Sequence, residues 1–280
     1  MAAPSIPTLP LNDGQSLPAI GLGTFGMRGP SGVASVVSGL EAGYRLLDTA
    51  LRYRNEKEVG EGVRESGVDR SDISVTTKLR GRNHGFYETL EGFDESLANL
   101  GLDYVDLYLI HWPLPRLGKF VDSWRAMIWL RDQGAIRSIG VSNFTPAHIG
   151  RLIVETGVTP AVNQVELHPY FPQAVQRAFH DEYGIVTESW SPLGRKRRQL
   201  ASEPIIVGIA VAHAVSTTQV VLRWHLQLGA VAIPKSADSG RQATNLDILG
   251  FVLTDAEVEA ISSLESRRTW WADPDRHYEL

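Results

Sequence analysis

The sequence predicts an α/β fold: a (β/α)8 TIM barrel with an N-terminal β-hairpin, forming one domain over residues 1–280. Three observations predict it. Strand-like and helix-like runs alternate along the chain, with strands centred at about 20, 46, 75, 108, 139, 163, 187 and 232, which is the barrel count. No linker, low-complexity tract or composition break divides the chain. Polar residues close successive strand runs, and in a parallel barrel all those ends lie on one face, where the strand-to-helix loops build a site.

The first piece, Thr8 to Pro18, is apolar on both sides of Asn12-Asp13-Gly14, which is strong turn chemistry, so it reads as a hairpin placed to plug the barrel bottom. Ala19 to Gly23 is a short strand. Val33 to Ala42 reads as a helix with Gly43 just past its end, and Glu56 to Glu65 as the next, with Asn55 as its cap. Between them Asp48 closes Tyr44-Arg45-Leu46-Leu47, and Tyr53 follows. Lys78 closes Ile73 to Thr77. Tyr87 to Leu100 is a helix ending at Gly101, after which His111 closes Val105 to Ile110. A helix from Phe120 to Gln133 ends at Gly134. Later strands are Ile136 to Val141, Ala161 to Val165, Ile185 to Ser189 and Ala230 to Ile233, with Asn143 and Gln164 at two of their ends. One motif competes with this reading. Gly21-Leu-Gly23-Thr-Phe-Gly26, with Asp48 downstream, matches a dinucleotide-binding fingerprint. That fingerprint needs a helix opening inside the glycine turn, and Met27 to Gly32 reads as helix-breaking.

A hydrophobic content of 43% is enough for a large core, and a net charge of −5 argues against general affinity for nucleic acid or acidic membranes. The absence of cysteine excludes disulfides and thiolate metal sites. Met1-Ala2-Ala3-Pro4-Ser5 lacks the basic flank and apolar core of a signal peptide, and no apolar run approaches the roughly 20 residues a membrane span needs. A soluble cytoplasmic protein is expected, and a monomer.

Asp48 to Gly60, Gly140-Val141-Ser142-Asn143-Phe144 and Ile233-Pro234-Lys235-Ser236 resemble signatures of the aldo-keto reductases, and the spacing of Lys78 and of His111-Trp112-Pro113 fits as well. The likeness covers nearly the whole chain. Within the family, Pro160 to Tyr170 and Ala230 to Asn245 are similar to the bacterial 2,5-diketo-D-gluconate reductases of the shorter type. The resemblance implies a barrel that binds NADPH in an extended pose and reduces aldehydes and ketones.

The chemistry is consistent with that. Carbonyl reduction needs a hydride and a proton. A free tyrosine, of pKa about 10, keeps its proton at neutral pH but yields it slowly. Lys78 would stabilise the Tyr53 phenolate and lower that pKa, with Asp48 holding Lys78. Tyr53 would then be general acid in reduction and base in oxidation, while His111 orients the carbonyl. Asp48, Tyr53, Lys78 and His111 are thus the catalytic candidates, with no metal. For the cofactor, Ser142, Asn143 and Gln164 would clamp the carboxamide and Trp190 would stack on the nicotinamide. The resemblance places Thr24 near the ribose, Lys235, Ser236 and Arg241 at the 2′-phosphate, and Asn245 at the adenine. Thr244 stands where the family has a glutamate, which puts one adenine contact in doubt.

Phe25 and Trp112 are expected to wall the substrate pocket. Trp270 and Trp271 sit in a tail whose family counterparts fold over the mouth. Arg52, Arg54, Arg80 and Arg82 are expected to reach an acidic substrate, and the short loop Pro113 to Lys119 suits small polar carbonyl compounds such as 2,5-diketo-D-gluconate. The basic run Arg195-Lys196-Arg197-Arg198 follows Ser191-Pro192-Leu193-Gly194, where the family has a loop beside the pyrophosphate, and is read as a cofactor clamp or mouth lining, with a solvated loop as the alternative, rather than as a nucleic-acid patch. Two other classes compete. A metal-dependent barrel hydrolase using Asp48, His111 and His168 lacks an H-x-H or H-E-x-x-H pair. A non-catalytic NADPH-sensing module has no need of the four catalytic residues, all of which are present.

Overall fold

The computed structural model describes residues 6–194, 197–266, 268–270 and 272–279. The hairpin comes first: β1 (Thr8–Pro10) pairs antiparallel with β2 (Ser16–Pro18), Leu9 opposite Leu17. The turn places Gly14 at φ 87°, in the left-handed region that favours glycine. Eight strands follow: β3 (Leu22–Gly23), β4 (Leu46–Asp48), β5 (Ser74–Leu79), β6 (Val105–Ile110), β7 (Ile136–Ser142), β8 (Val162–Glu166), β9 (Val186–Trp190) and β10 (Val231–Ile233). They pair in parallel in chain order. Parallel bridges from Ile20 to Ala232 and from Gly23 to Lys235 close the first strand onto the last. The barrel expected from the alternation is present, as is its hairpin.

Period-two alternation explains why these runs are strands with two buried faces. Along β6, Leu107 and Leu109 point into the barrel, joining Leu46, Val162, Val231 and Ile233. Tyr108 and Ile110 point outward against the helices. Leu11 and Leu17 of the hairpin join the interior set and close its lower end.

The outer ring begins with α1 (Gly29–Ala42), α2 (Glu56–Glu65), α3 (Phe86–Leu100), α4 (Phe120–Asp132), α5 (Pro146–Thr156) and α6 (Ala174–Glu182). It continues with α7 (Arg197–Ala201), α8 (Pro204–Ala212), α9 (Thr217–Gln227), α10 (Ser239–Leu246) and α11 (Asp255–Ser262). Among the described residues, no single helix is long and apolar enough to cross a membrane.

Two local expectations need correction. The helix-breaking reading of Met27 to Gly32 fails, because α1 opens at Gly29 with Pro30 in its first turn. Proline is favoured there, since its missing N–H has no partner in that turn anyway. Asn55 precedes α2 but its side chain does not cap it. Its amide instead donates to the Thr24 carbonyl at 2.8 Å and its oxygen accepts from the Thr49 hydroxyl at 3.0 Å, tying the loops after β3 and β4 together.

Candidate active site

Asp48 ends β4, and the chain turns at once through a 3-10 turn, Leu51–Tyr53. Arg54 stops that turn in the left-handed region at φ 56°, leaving Tyr53 at the mouth, where its carbonyl accepts from Arg28 at 3.0 Å. Lys78, near the end of β5, is fully buried. Its Nζ donates to Asp48 Oδ2 at 2.6 Å and to the Thr49 carbonyl at 2.9 Å, and lies 5.1 Å from the centre of the Tyr53 ring. His111 follows β6 and faces Tyr53 from the other side, ring centres 6.0 Å apart. The four residues picked from three strand ends therefore converge.

Their electrostatics depart from expectation at one point. Tyr53 is half-buried as a residue, but its hydroxyl end is enclosed. Burial pushes its pKa up; Lys78 pulls it down and Asp48 opposes that, so the net shift is upward, not downward as the sequence suggested. Burial pulls Lys78 down, but Asp48 and Tyr53 outweigh it, so the amine is held charged above its ordinary value.

Beside this group lies a cavity of about 690 Å³, open at the strand ends. One wall is a polar chain. Ser142 donates to the Gln164 carbonyl at 2.9 Å. Asn143, held at φ 63°, donates to the His111 carbonyl and to Ser142 Oγ, each at 3.0 Å, and accepts from Trp190 Nε1 at 2.8 Å. Asparagine tolerates that left-handed geometry better than most residues. Gln164 Nε2 donates both ways, to Asp48 Oδ2 at 2.8 Å and to Glu188 Oε1 at 2.7 Å. The donors of this wall are thus engaged internally, and Gln164 Oε1 accepts no hydrogen bond from the described residues.

Glu188 was missed from the sequence, although an acid inside a strand run was a visible signal. Burial and the neighbouring Asp48 push its carboxyl up to about 8, against the pull of Lys78.

The remaining candidates divide. Phe25 lines the mouth, mostly exposed, with its ring edge-on to Tyr53 at 5.0 Å. Trp112 is buried on the opposite wall, and Trp270 stands 5.9 Å from Trp190, donating to Ser191 Oγ at 3.2 Å. Lys235 is exposed at the rim. Arg241 projects from α10, more than half exposed and 3.6 Å from Asp238. Three candidates are turned inward instead. The Thr24 hydroxyl is buried and donates to the Asp48 carbonyl at 2.9 Å; Ser236 Oγ is engaged by the Asp238 backbone at 3.2 Å; Asn245 is buried beside the Tyr44 hydroxyl. Arg80 is not at the mouth for an acidic substrate. It is paired with Glu95 at 2.6 Å and Asn83 at 2.7 Å. Arg195 and Lys196 of the basic run, the side chains of Arg197 and Arg198, and Trp271 lie outside the described residues.

A family model described as the Aldo/keto reductase family matches residues 19–266. The chain is 57% identical over 277 residues to 2,5-diketo-D-gluconic acid reductase B of Corynebacterium sp. (strain SHS752001), covering 99% of this chain and 100% of that one. It superposes on an aldo/keto reductase crystal structure from Brucella melitensis with a TM-score of 0.90 at 47% identity, covering 93% of this chain and 100% of that one. A variant of Gox0644 crystallised in complex with NADPH is similar too, with a TM-score of 0.92 at 41% identity, covering 97% of this chain and 98% of that one.

Proposed function

Because the chain belongs to the aldo/keto reductase family, a family of oxidoreductases, we propose that it reduces small polar aldehydes and ketones with NADPH, with Tyr53 as proton donor. The observation that carries this reading is the buried Asp48–Lys78 pair under the Tyr53 phenol, opposite His111, on the wall of an open cavity.

The cavity fits a nicotinamide in its donor set. Gln164 Oε1 supplies an unused acceptor for a carboxamide N–H, and the half-buried Trp190 offers a flat wall. Lys235 at the rim and Arg241 on α10 are exposed cations suited to the phosphate of NADPH. When bound, a reduced nicotinamide supplies the hydride.

The protein's own residues do the rest. Asp48 and the Thr49 carbonyl fix the Lys78 ammonium. Lys78 stabilises the charge that forms on Tyr53 as its proton leaves for the carbonyl oxygen. Because burial raises the phenol pKa, Tyr53 keeps its proton through the physiological range and starts each reduction loaded. His111 holds the carbonyl oxygen from the other side, and Phe25 and Trp112 line the cavity around the reacting centre. The likeness to 2,5-diketo-D-gluconic acid reductase B makes 2,5-diketo-D-gluconate the first substrate to try.

Loss of NADPH absorbance over a panel of 2,5-diketo-D-gluconate, methylglyoxal and aromatic aldehydes tests the reading. Tyr53→Phe should bind NADPH nearly as well as the parent while turnover falls by about 10²–10⁴-fold. Near-normal turnover in that variant would remove Tyr53 as the acid. A preference of orders of magnitude for neutral aromatic carbonyls would remove the acidic-sugar assignment alone.

A further inference from the structure

The described part of the segment after α11 returns across the mouth, and two of its several contacts bear on the site. At the first, Glu166 Oε1 accepts from Thr269 N at 2.7 Å, Thr269 Oγ1 at 2.8 Å and Trp270 N at 3.0 Å. At the second, His277 lies on Trp112 with ring centres 3.9 Å apart, and the buried Glu279 enters the site. Glu279 Oε2 accepts from Gly81 N at 3.2 Å, and its Oε1 lies 2.7 Å from His111 Nδ1. Position 81 has to be glycine for this path, since a Cβ there would sit 1.8 Å from the Glu279 carbonyl oxygen. The Glu279 oxygen lies off the Nδ1–H axis, so the contact is an ion-pair approach more than an aligned hydrogen bond.

We propose that Glu279 is the positioning residue for His111, holding a proton on Nδ1 so that Nε2 is the ring nitrogen that faces the substrate. The inference rests on the reading of His111 as the group that holds the carbonyl oxygen. A carboxylate has only lone pairs to offer, so the ring nitrogen against it carries the hydrogen in both the neutral and the charged ring. The tautomer with a bare Nδ1 would set two lone pairs against each other. With Nδ1 protonated, a neutral ring presents a bare Nε2, which has no hydrogen to offer a carbonyl oxygen. The imidazolium presents Nε2–H, which donates to a carbonyl oxygen and opposes its developing charge. His111 transfers no proton in this scheme; the Tyr53 proton balances the hydride. Reduction therefore draws on the charged ring.

The groups facing His111 are compatible with this. Tyr53 approaches from the turn after β4, with Lys78 of β5 and Asp48 behind it. His84, after β5, is pushed down to about 4 by burial and stays neutral; burial likewise lowers His277. Burial pushes Glu279 up, but His111, Arg52 and His277 outweigh it, so its carboxyl is held below the usual range and stays charged.

The test is ¹⁵N-histidine NMR of the full chain, with His111→Gln identifying the His111 signals. The neutral ring should show Nδ1–H in the parent. Glu279→Gln, whose amide oxygen can still accept from Nδ1–H, should keep that tautomer, and it should rescue most of the kcat/KM for reduction that Glu279→Ala loses. Glu279→Ala should release the tautomer to Nε2–H. An Nε2–H ring in the parent, or an unchanged tautomer in Glu279→Ala, overturns the proposal. An Nδ1–H ring in a protein that reduces no carbonyl with NADPH supports the positioning role and sinks the reductase reading instead.

Discussion

Gln164 stands between two carboxylates and donates one amide hydrogen to each, so Asp48 and Glu188 share a neighbourhood that can hold only one negative charge comfortably. The folded state therefore keeps Glu188 protonated up to about 8, from an ordinary 4.5. The sign follows. Between those values the unfolded chain has released a proton that the folded chain retains, so stability is fully present below 4.5 and declines as pH rises toward 8. Glu188→Gln removes that decline. Thermal melts of the variant and parent should nearly coincide at the acid end and diverge in the variant's favour, on the order of a few kcal/mol, at the alkaline end. A gap independent of pH would place the proton elsewhere. Arg241→Ala should raise the NADPH dissociation constant by about 10–100-fold, matching roughly 1.5–3 kcal/mol for a charge-assisted bond, and leave NADH binding nearly unchanged. Equal losses for both cofactors would contradict a phosphate contact. At this scale the sequence shows residue types at strand ends, which is why Asp48, Tyr53, Lys78 and His111 were legible. It does not show burial, which is why the direction of the Tyr53 shift came out reversed.

Elements were legible wherever a period was present. β6 alternates inward and outward residues, and α3 carries an apolar stripe and a glycine stop. The start of α1 escapes a local reading, because glycine and proline break a helix interior whereas proline in a first turn starts one. The segment after α11 has no period to read, and its contacts reach back across the chain to Glu166 and Gly81. Nothing local in the sequence announces such pairings. Glu166→Ala should free residues 269 and 270 first. Hydrogen exchange there should accelerate and KM should rise more than kcat falls, while the melting temperature changes little. Unchanged exchange at Thr269 and Trp270 would show that the segment is held elsewhere.

The whole barrel is one interior filled from all sides. Leu17 of the hairpin packs with Leu46, Leu109 and Val231 from three separate strands, so the plug belongs to the core. Leu17→Ala should cost about 2–5 kcal/mol. Urea unfolding, followed by far-ultraviolet circular dichroism and by tryptophan fluorescence, should give a single coincident transition in parent and variant. Two separated transitions would divide the chain into independent units.

The barrel closes through its shortest strand. β3 contributes two residues, and the bridges from Ile20 to Ala232 and from Gly23 to Lys235 join segments more than 200 positions apart in a 280-residue chain. Such a joint forms late and opens early, because few bonds offset a long loop's entropy. Lys235 lies on that joint and is also the proposed phosphate contact. A ligand held there stitches the first strand to the last, and at 100 times its dissociation constant it adds about 2.7 kcal/mol against opening. Digestion by a protease would then slow as NADPH rises, and the protein would last longest where its reductant is most abundant.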